Sequence, residues 1–461
     1  MTFGKLSDCV ARFTERLERE GVNMHGFLLS ASGKLIAKGY YAPFREGQPH
    51  RLYSVSKTLT GIAVGMLIDD GLLSLDDRIA DHFRDWLPAD PHEFLTRLTL
   101  RDMLRMATCY SRTAYREGID ENWARCFFTG APDHAPGMAF AYDTGCSQAL
   151  AALVRRVSGL EAIDFLEERL FHPLGCQDPR YWLRDPSGCC QGGTGLCMSL
   201  RDVHRVAECL LRGGDGLVPG WYAREMGKKQ IDTSMREGAE ERWGYGWQCW
   251  RTRAGWALYG MGGQLCVVCP DRRAVLSTIA DTRLDPFGVQ RIYDAFFEEI
   301  WPYLPVGGPL PEDESNLPVV PELRCIGLRD DASIAASGSG CYVFGDNPLG
   351  LRALQLTDTE VRFLRDGGEA ALPFVRGRLV ETAWPGHPQT PALASAAWVG
   401  AGQLRLRCHA VGDAPCGFDM LISTGGGRVV VQSRRSSDPL TDGYAGIASG
   451  VLRREESSSE V

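Results

Sequence analysis

Lysine is scarce in this chain. Six of its 461 residues are lysine, at positions 5, 34, 38, 57, 228 and 229, and the other 44 of the 50 basic residues are arginine. No run of basic residues occurs and the formal net charge is −8, which argues against nucleic acid as a partner. No segment approaches the run of about 20 apolar residues needed to cross a membrane. The stretch Met1–Gly21 is charged throughout and lacks an unbroken apolar core, so it does not read as a secretory signal. A cytoplasmic location is the expectation, and the sixteen cysteines are then expected to be reduced thiols packed as small hydrophobes. Cys266 and Cys269 form one C-x-x-C, without the second pair or spaced histidines that a zinc site needs. They lie in a run, Gln264–Cys269, that reads as a buried strand, so no metal is expected.

The composition, 44% hydrophobic and 23% charged, is that of a globular protein with room for two or three domains. Apolar residues at Leu6, Val10, Phe13 and Leu17 mark a helix over about 5–20. Two strand candidates follow, 26–30 and 34–41, with a turn at 31–33. Helical periodicity then dominates, from Ser54 to near Gly71 and over 99–107, 145–157, 163–170 and 200–211. Strand patterns return at 245–251, 256–259, 264–269 and 274–280, before a last helix over 287–303. Strands at both ends with helices between predict one sheet completed by distant segments. Residues 306–322 are rich in proline and polar residues and read as a linker between a domain over 1–305 and a second over 323–452. The second shows only short strand patterns, at 340–344, 353–356, 361–363 and 429–432, and reads as an all-β module. The polar tail 453–461 reads as disordered.

Within this frame Ser54-Val55-Ser56-Lys57 carries the chemical interest. Apolar residues at 59, 62, 63, 66 and 67 place a helix after Ser54, so positions 54 and 57 share a face. A serine hydroxyl becomes a useful nucleophile when a base takes its proton. Lysine can be that base when burial or a neighbouring cation lowers its pKa, whereas arginine cannot be deprotonated in a protein. The backbone N–H groups at a helix start also suit an oxyanion. The spacing alone leaves two readings open: this pair, or an N-cap serine followed by a surface lysine.

The sequence from about 25 to 300 resembles the serine β-lactamase-like superfamily, which includes class C β-lactamases, D-alanyl-D-alanine peptidases, penicillin-binding proteins, and esterases and amidases of that fold. The resemblance rests on an ordered set of segments: Tyr53-Ser54-Val55-Ser56-Lys57, Asp70–Asp77, Leu98–Leu104, Pro136–Gly145, Gly192-Gly193-Thr194-Gly195-Leu196 and Leu200-Arg201-Asp202. It implies an α/β fold of the α+β type, with an antiparallel sheet flanked by helices and an all-helical insert. The C-terminal β module resembles the lipocalin-like or half-barrel domains attached to many such hydrolases. The resemblance also implies Ser54 as acylating nucleophile, Lys57 as its base, and Tyr142 as the tyrosine of the Y-x-N or Y-x-S motif, a phenol whose pKa two nearby cations would lower. Outside that motif Tyr142 would read as a core tyrosine. Thr144 stands where Asn or Ser is usual, losing an amide's combined donor and acceptor.

The family's K-T-G is absent. Leu258-Tyr259-Gly260 takes its place, and Met261 the position whose backbone N–H completes the oxyanion hole with that of Ser54; 260–263 also reads as a hairpin turn. Leu258 cannot engage a substrate carboxylate as the family lysine does. The expectation is therefore a serine hydrolase acting through an acyl-enzyme on a small-molecule ester or amide, more esterase- or amidase-like than a resistance β-lactamase. Thr144, Tyr259 and Gly260 would contact substrate, with no cofactor. The alternative is a non-catalytic or slowly acylating ligand-binding or sensor protein. Two aromatic-rich stretches, 109–123 and 243–256, are candidates for the pocket wall or for ordinary packing.

Overall fold

The computed structural model describes residues 6–113, 115, 121–308 and 322–453. Most of the Pro-rich stretch and nearly all of the polar tail lie outside the described residues. Two compact units are present, one of Met1–Tyr41, Arg45–Ala280 and Phe287–Leu323, the other of Ala42–Phe44, Asp281–Pro286 and Arg324–Val461.

The strands of the first unit are β1 (Met24–Ala31), β2 (Lys34–Ala42), β3 (Pro49–Arg51), β4 (Tyr181–Trp182), β5 (Leu196–Ser199), β6 (Trp250–Thr252), β7 (Gly255–Gly260), β8 (Gln264–Cys269), β9 (Ala274–Ala280) and β10 (Leu323–Arg324). Seven of them form one sheet in the order β10-β2-β1-β9-β8-β7-β6. Its centre is antiparallel, with Leu28 opposite Ser277 and Val267 opposite Leu276. Every residue of β1, β8 and β9 is buried, because helices cover the sheet. The amphipathic helix Leu6–Arg19 sets Phe13 edge-on to Phe27 of β1 at 5.5 Å, and Leu200–Leu211 packs on β8 and β9.

The helical part is organised around Val55–Asp69, in which every residue from Val55 to Leu67 is buried. A helix apolar on all sides belongs in a core. Gly65 lets Tyr222 lie against it: a Cβ there would sit 2.4 Å from the Tyr222 ring. The helix Thr144–Ser158 packs beside it.

Several elements differ from the sequence reading. The predicted strand 245–251 is a strand only from Trp250, since Gln248 turns the chain with φ +56°. The helix expected over 99–107 is confined to Leu100–Leu104, and Met106 at φ +57° ends it. The helix expected over 163–170 runs Ala162–Leu166 and widens into a π turn over Glu167–Phe171. Trp123–Thr129 and Gly220–Met226 are seven-residue helices, too short to declare a period.

The second unit is all β. Its strands are β11 (Gly340–Phe344), β12 (Leu351–Leu356), β13 (Glu360–Arg365), β14 (Gly368–Pro373), β15 (Leu379–Trp384), β16 (His387–Gly400), β17 (Gln403–Ala410), β18 (Gly417–Gly425), β19 (Arg428–Arg435) and β20 (Gly446–Leu452). They form one sheet in the order β14-β13-β12-β11-β20-β19-β18-β17-β16-β15. The two ends of that order are consecutive in the chain and meet at a bridge between Val375 and Arg378, which gives a barrel-like form. Trp384, Phe418 and Tyr444 fill its core. No helix among the described residues is long and apolar enough to cross a membrane.

Candidate active site

Tyr53 holds the left-handed backbone region, φ +47°, a conformation that costs a bulky residue about 1–3 kcal/mol. It turns the chain sharply into the helix that follows. Ser54 stands at the N-cap of that helix, yet its side chain makes no capping bond. The hydroxyl is turned instead to Lys57, whose Nζ lies 3.0 Å from Ser54 Oγ.

Lys57 is 1% exposed. Its amine donates to the Gly193 carbonyl at 2.7 Å and to Thr144 Oγ1 at 3.3 Å as well as to Ser54. Burial penalises the ammonium and lowers the pKa from 10.5 to about 7, while the negative charge of Asp143 pulls the other way. A neutral amine keeps N–H bonds for Gly193 and Thr144 and turns its lone pair to the Ser54 hydroxyl. This is the arrangement a general base needs.

The glycine loop explains why the amine is held so firmly. Thr60 Oγ1 donates to the Gly192 carbonyl at 2.8 Å, and the Gly192 N–H donates to Gln148 Oε1 at 3.0 Å. Gln148 in turn donates to Asp185 Oδ2 at 3.3 Å. A Cβ on Gly193 would meet Thr144 Cγ2 at 2.7 Å and Lys57 Nζ at 3.3 Å, so only glycine brings its carbonyl there. Nothing in the sequence around Gly193, Thr60 or Gln148 announces this role.

Tyr142 and Thr144 flank Asp143, which N-caps Thr144–Ser158 by accepting from the Gly145 N–H at 2.8 Å. The Lys57 amine lies 4.9 Å from the centre of the Tyr142 ring, and the neighbouring Ser54 hydroxyl favours the phenolate. The expected lowering of the phenol's pKa is not what the surroundings produce. Burial is the largest influence and raises it well above 10. Leu258, expected in the place of a lysine, is apolar and fully buried in the core and offers no charge against that burial. Glu241 and Arg236 both reach Tyr142 electrostatically, but they pair with each other at 2.8 Å. Thr144 points its hydroxyl at Lys57.

The segment Tyr259-Gly260-Met261 runs past the turn that precedes Ser54. A Cβ on Gly260 would sit 2.1 Å from the Leu52 carbonyl oxygen. The turn that follows uses Gly262 and Gly263, at φ +88° and +97°. Among the described residues, neither the Ser54 nor the Met261 backbone N–H donates to another group. The Met261 side chain is 41% exposed.

An aromatic wall borders this corner. Tyr142 stacks on Trp250 with ring centres 5.5 Å apart, and Phe140, Tyr245 and Tyr259 lie 5.4, 4.9 and 6.2 Å from the same indole. Of the candidate stretch 243–256, Tyr245 and Trp250 are thus packed on Tyr142, whereas Trp247 packs on Trp221 and Tyr222. Of the stretch 109–123, residues 114 and 116–120 lie outside the described residues; Tyr115 meets Trp123 edge-on at 5.2 Å. Gln248, which the sequence reading passed over, ties the elements together. It accepts from Ser147 Oγ at 2.6 Å, donates to the Met103 carbonyl at 3.0 Å, and its carbonyl accepts from Thr58 Oγ1 at 2.6 Å.

All sixteen cysteines are free thiols, and all except Cys341 are buried. Burial pushes Cys266 and Cys269 up to about 12, so neither is poised as a thiolate. Among the described residues no three His, Cys, Asp or Glu side chains are grouped to hold a metal ion.

Comparison with known proteins places this geometry in context. The sequence model of the family described as Beta-lactamase matches residues 6–295. A 6-aminohexanoate-dimer hydrolase of Paenarthrobacter ureafaciens is 25% identical over 232 residues, which are 47% of this chain and 58% of that protein. The chain therefore spans less than two thirds of the curated relative it matches. Among solved structures, EstCE1, a hydrolase with promiscuous acyltransferase activity, is similar with a TM-score of 0.52 at 17% identity, over 63% of this chain and 99% of that one. SurE with D-Leu is similar over 97% of this chain and 99% of its own, with a TM-score of 0.52 at 19% identity.

Proposed function

The chain belongs to the Beta-lactamase family, and from that premise we propose that it is a serine hydrolase that works through an acyl-enzyme on an ester or amide lacking the carboxylate of β-lactams. The observation that carries the reading is the dry amine of Lys57, lowered to about 7 and set 3.0 Å from a Ser54 hydroxyl that caps nothing.

In the proposed reaction Lys57 takes the Ser54 proton as Oγ bonds to the carbonyl carbon. The N–H groups of Ser54 and Met261 receive the oxyanion, each donor contributing about 3 kcal/mol in such sites. The bond to the leaving group breaks, and that group receives the proton from Lys57 by way of the Tyr142 phenol. A phenol with a raised pKa stays protonated and suits this relay. Water then repeats the sequence on the acyl-enzyme, releasing acid and free Ser54. Each step uses groups of this chain and water.

Esters of small or medium acyl groups are the first choice, since the position of the carboxylate-binding lysine holds Leu258. Amides are the second: the curated relative is named for a dimer of an amino acid, which is an amide. The test is a fluorophosphonate probe with adduct mapping, followed by a panel of chromogenic esters, D-amino-acid amides and a cephalosporin. The expected result is a label on Ser54, lost in Ser54→Ala along with turnover. No label on Ser54, or full activity in Ser54→Ala, would overturn the mechanism and leave the ligand-binding alternative.

A further inference from the structure

Asp143 does more than its place at the helix end requires. It is 1% exposed and sits between the two residues that meet Ser54 and Lys57. One carboxylate oxygen, Oδ1, is committed locally and accepts from the Gly145 N–H at 2.8 Å, an N–H that Thr113 Oγ1 shares at 3.0 Å. The other oxygen, Oδ2, is sealed from solvent and has no hydrogen-bond partner. An N-cap needs one acceptor oxygen, and Asn or Ser supplies it as well as Asp. A buried carboxylate oxygen without a partner is costly, so the charge calls for an explanation that the cap does not give.

The groups around it narrow that explanation. Asp143 feels Thr113, the Gly145 and Cys146 backbone N–H groups, and Lys57. The Cys146 and Tyr110 side chains, which feel Asp143 in turn, are held neutral by burial, as is Cys109. On the other side, Lys57 is faced by the neutral Tyr142 phenol, the hydroxyls of Ser54 and Thr144, the Gly193 carbonyl and the Cys146 thiol. Among these described groups Lys57 is the one basic side chain and Asp143 the one carboxyl; burial raises the Asp143 pKa, and its hydrogen-bond donors and Lys57 pull it back down. When Ser54 gives up its proton, an ammonium forms on an amine that is itself buried, and the opposing charge nearby is this carboxylate.

We infer that Asp143 is a positioning residue that acts through Lys57: its buried carboxylate is the counter-charge that stabilises the Lys57 ammonium formed when Ser54 is deprotonated. The inference rests on the proposed role of Lys57 as base.

Asp143→Asn keeps the cap and removes the charge. With only six lysines in the chain, ε-13C labelling gives a spectrum simple enough to follow Lys57, assigned by its loss in Lys57→Arg. The expected result is that the Lys57 titration moves to lower pH by about one unit or more in Asp143→Asn. The acid limb of Ser54 labelling by a fluorophosphonate moves with it, and the plateau rate falls roughly three- to tenfold because the base is weaker. A Lys57 curve that superimposes on the wild type would reduce Asp143 to a cap and overturn the inference. If Asp143→Asn does not fold, Asp143→Ser makes the same test. In the wild-type protein the Lys57 curve should also carry a second inflection where Asp143 takes up a proton, and a single inflection overturns the inference without any variant. The titration is read on the lysine carbon and needs no turnover, so a protein that never acylates Ser54 refutes the hydrolase reading separately.

Discussion

Lowering the pH from about 9 to about 5 should switch off acylation of Ser54 by a fluorophosphonate, following the titration of Lys57. The sign comes from burial, which disfavours the ammonium and brings the amine from 10.5 to about 7. The active form is the unprotonated one, so the limb lies on the acid side. About half of the molecules carry a neutral Lys57 near pH 7, roughly a tenth near pH 6 and roughly a hundredth near pH 5. An unperturbed lysine would offer about 1,600-fold less neutral amine at pH 7, and the whole lowering from 10.5 to about 7 is worth near 5 kcal/mol at about 1.4 kcal/mol per unit. The second-order labelling rate should therefore rise about tenfold per pH unit below 7 and level off above about 8. In Lys57→Arg the limb should vanish and the rate fall by about 10²–10⁴, the usual worth of a general base. The same shift acts on folding. Between about 7 and 10.5 the unfolded chain holds the proton that the folded chain has released, so the burial penalty of Lys57 is complete below 7 and is relieved as pH rises through that window. A rate that is flat over this range, or still climbing tenfold per unit above about pH 9, would refute the assignment of Lys57 as base.

Gly193→Ala should displace the carbonyl from Lys57, because the added methyl meets Thr144 at 2.7 Å; labelling of Ser54 should fall by about tenfold or more while circular dichroism stays that of the wild type. Gln248→Leu leaves Ser147 and the Met103 carbonyl without their partner and should cost about 2–4 kcal/mol in urea unfolding. Tyr142→Phe removes the relay to the leaving group and should lower turnover; in the wild type no alkaline limb should appear below about pH 10, because burial raises that phenol. Titration with a thiol reagent should find Cys341 reacting first in the native protein and all sixteen thiols in denaturant.

The Ser54–Lys57 pair, the proposed nucleophile and base, was legible because the relation of the two residues is local. An i,i+3 spacing ahead of an apolar helix puts the two side chains on one face whatever the rest of the chain does. The chemistry of the residues around them was not local. Gly193 reaches Lys57 across a long stretch of sequence, and nothing in a glycine says which carbonyl it presents. Gln248 sits in Trp247-Gln248-Cys249-Trp250, which reads as a strand; its left-handed turn and its buried amide exist only once three helices and a loop meet there. In the second unit four strand patterns were legible out of ten strands. Strands such as β16 bury seven consecutive residues, Ala392–Trp398, where alternation would have announced them.

The one reversal within the site comes from charge rather than geometry. Assigning Tyr142 a lowered pKa assumed two cations beside it. Leu258 removes one, and Lys57, the other, is itself close to neutral near pH 7. The electrostatic work then divides differently. Lys57 is the group whose proton state changes in the working range, Tyr142 remains a protonated phenol between Ser54 and the aromatic wall, and the Asp143 carboxylate is the negative charge that Lys57 feels. With the apolar Leu258 in place of a cation, the proposed base role falls wholly on one amine. In the proposed reading the absent K-T-G lysine and the buried Asp143 belong together: the site takes its substrate without a cation and balances the ammonium formed on Lys57 from behind.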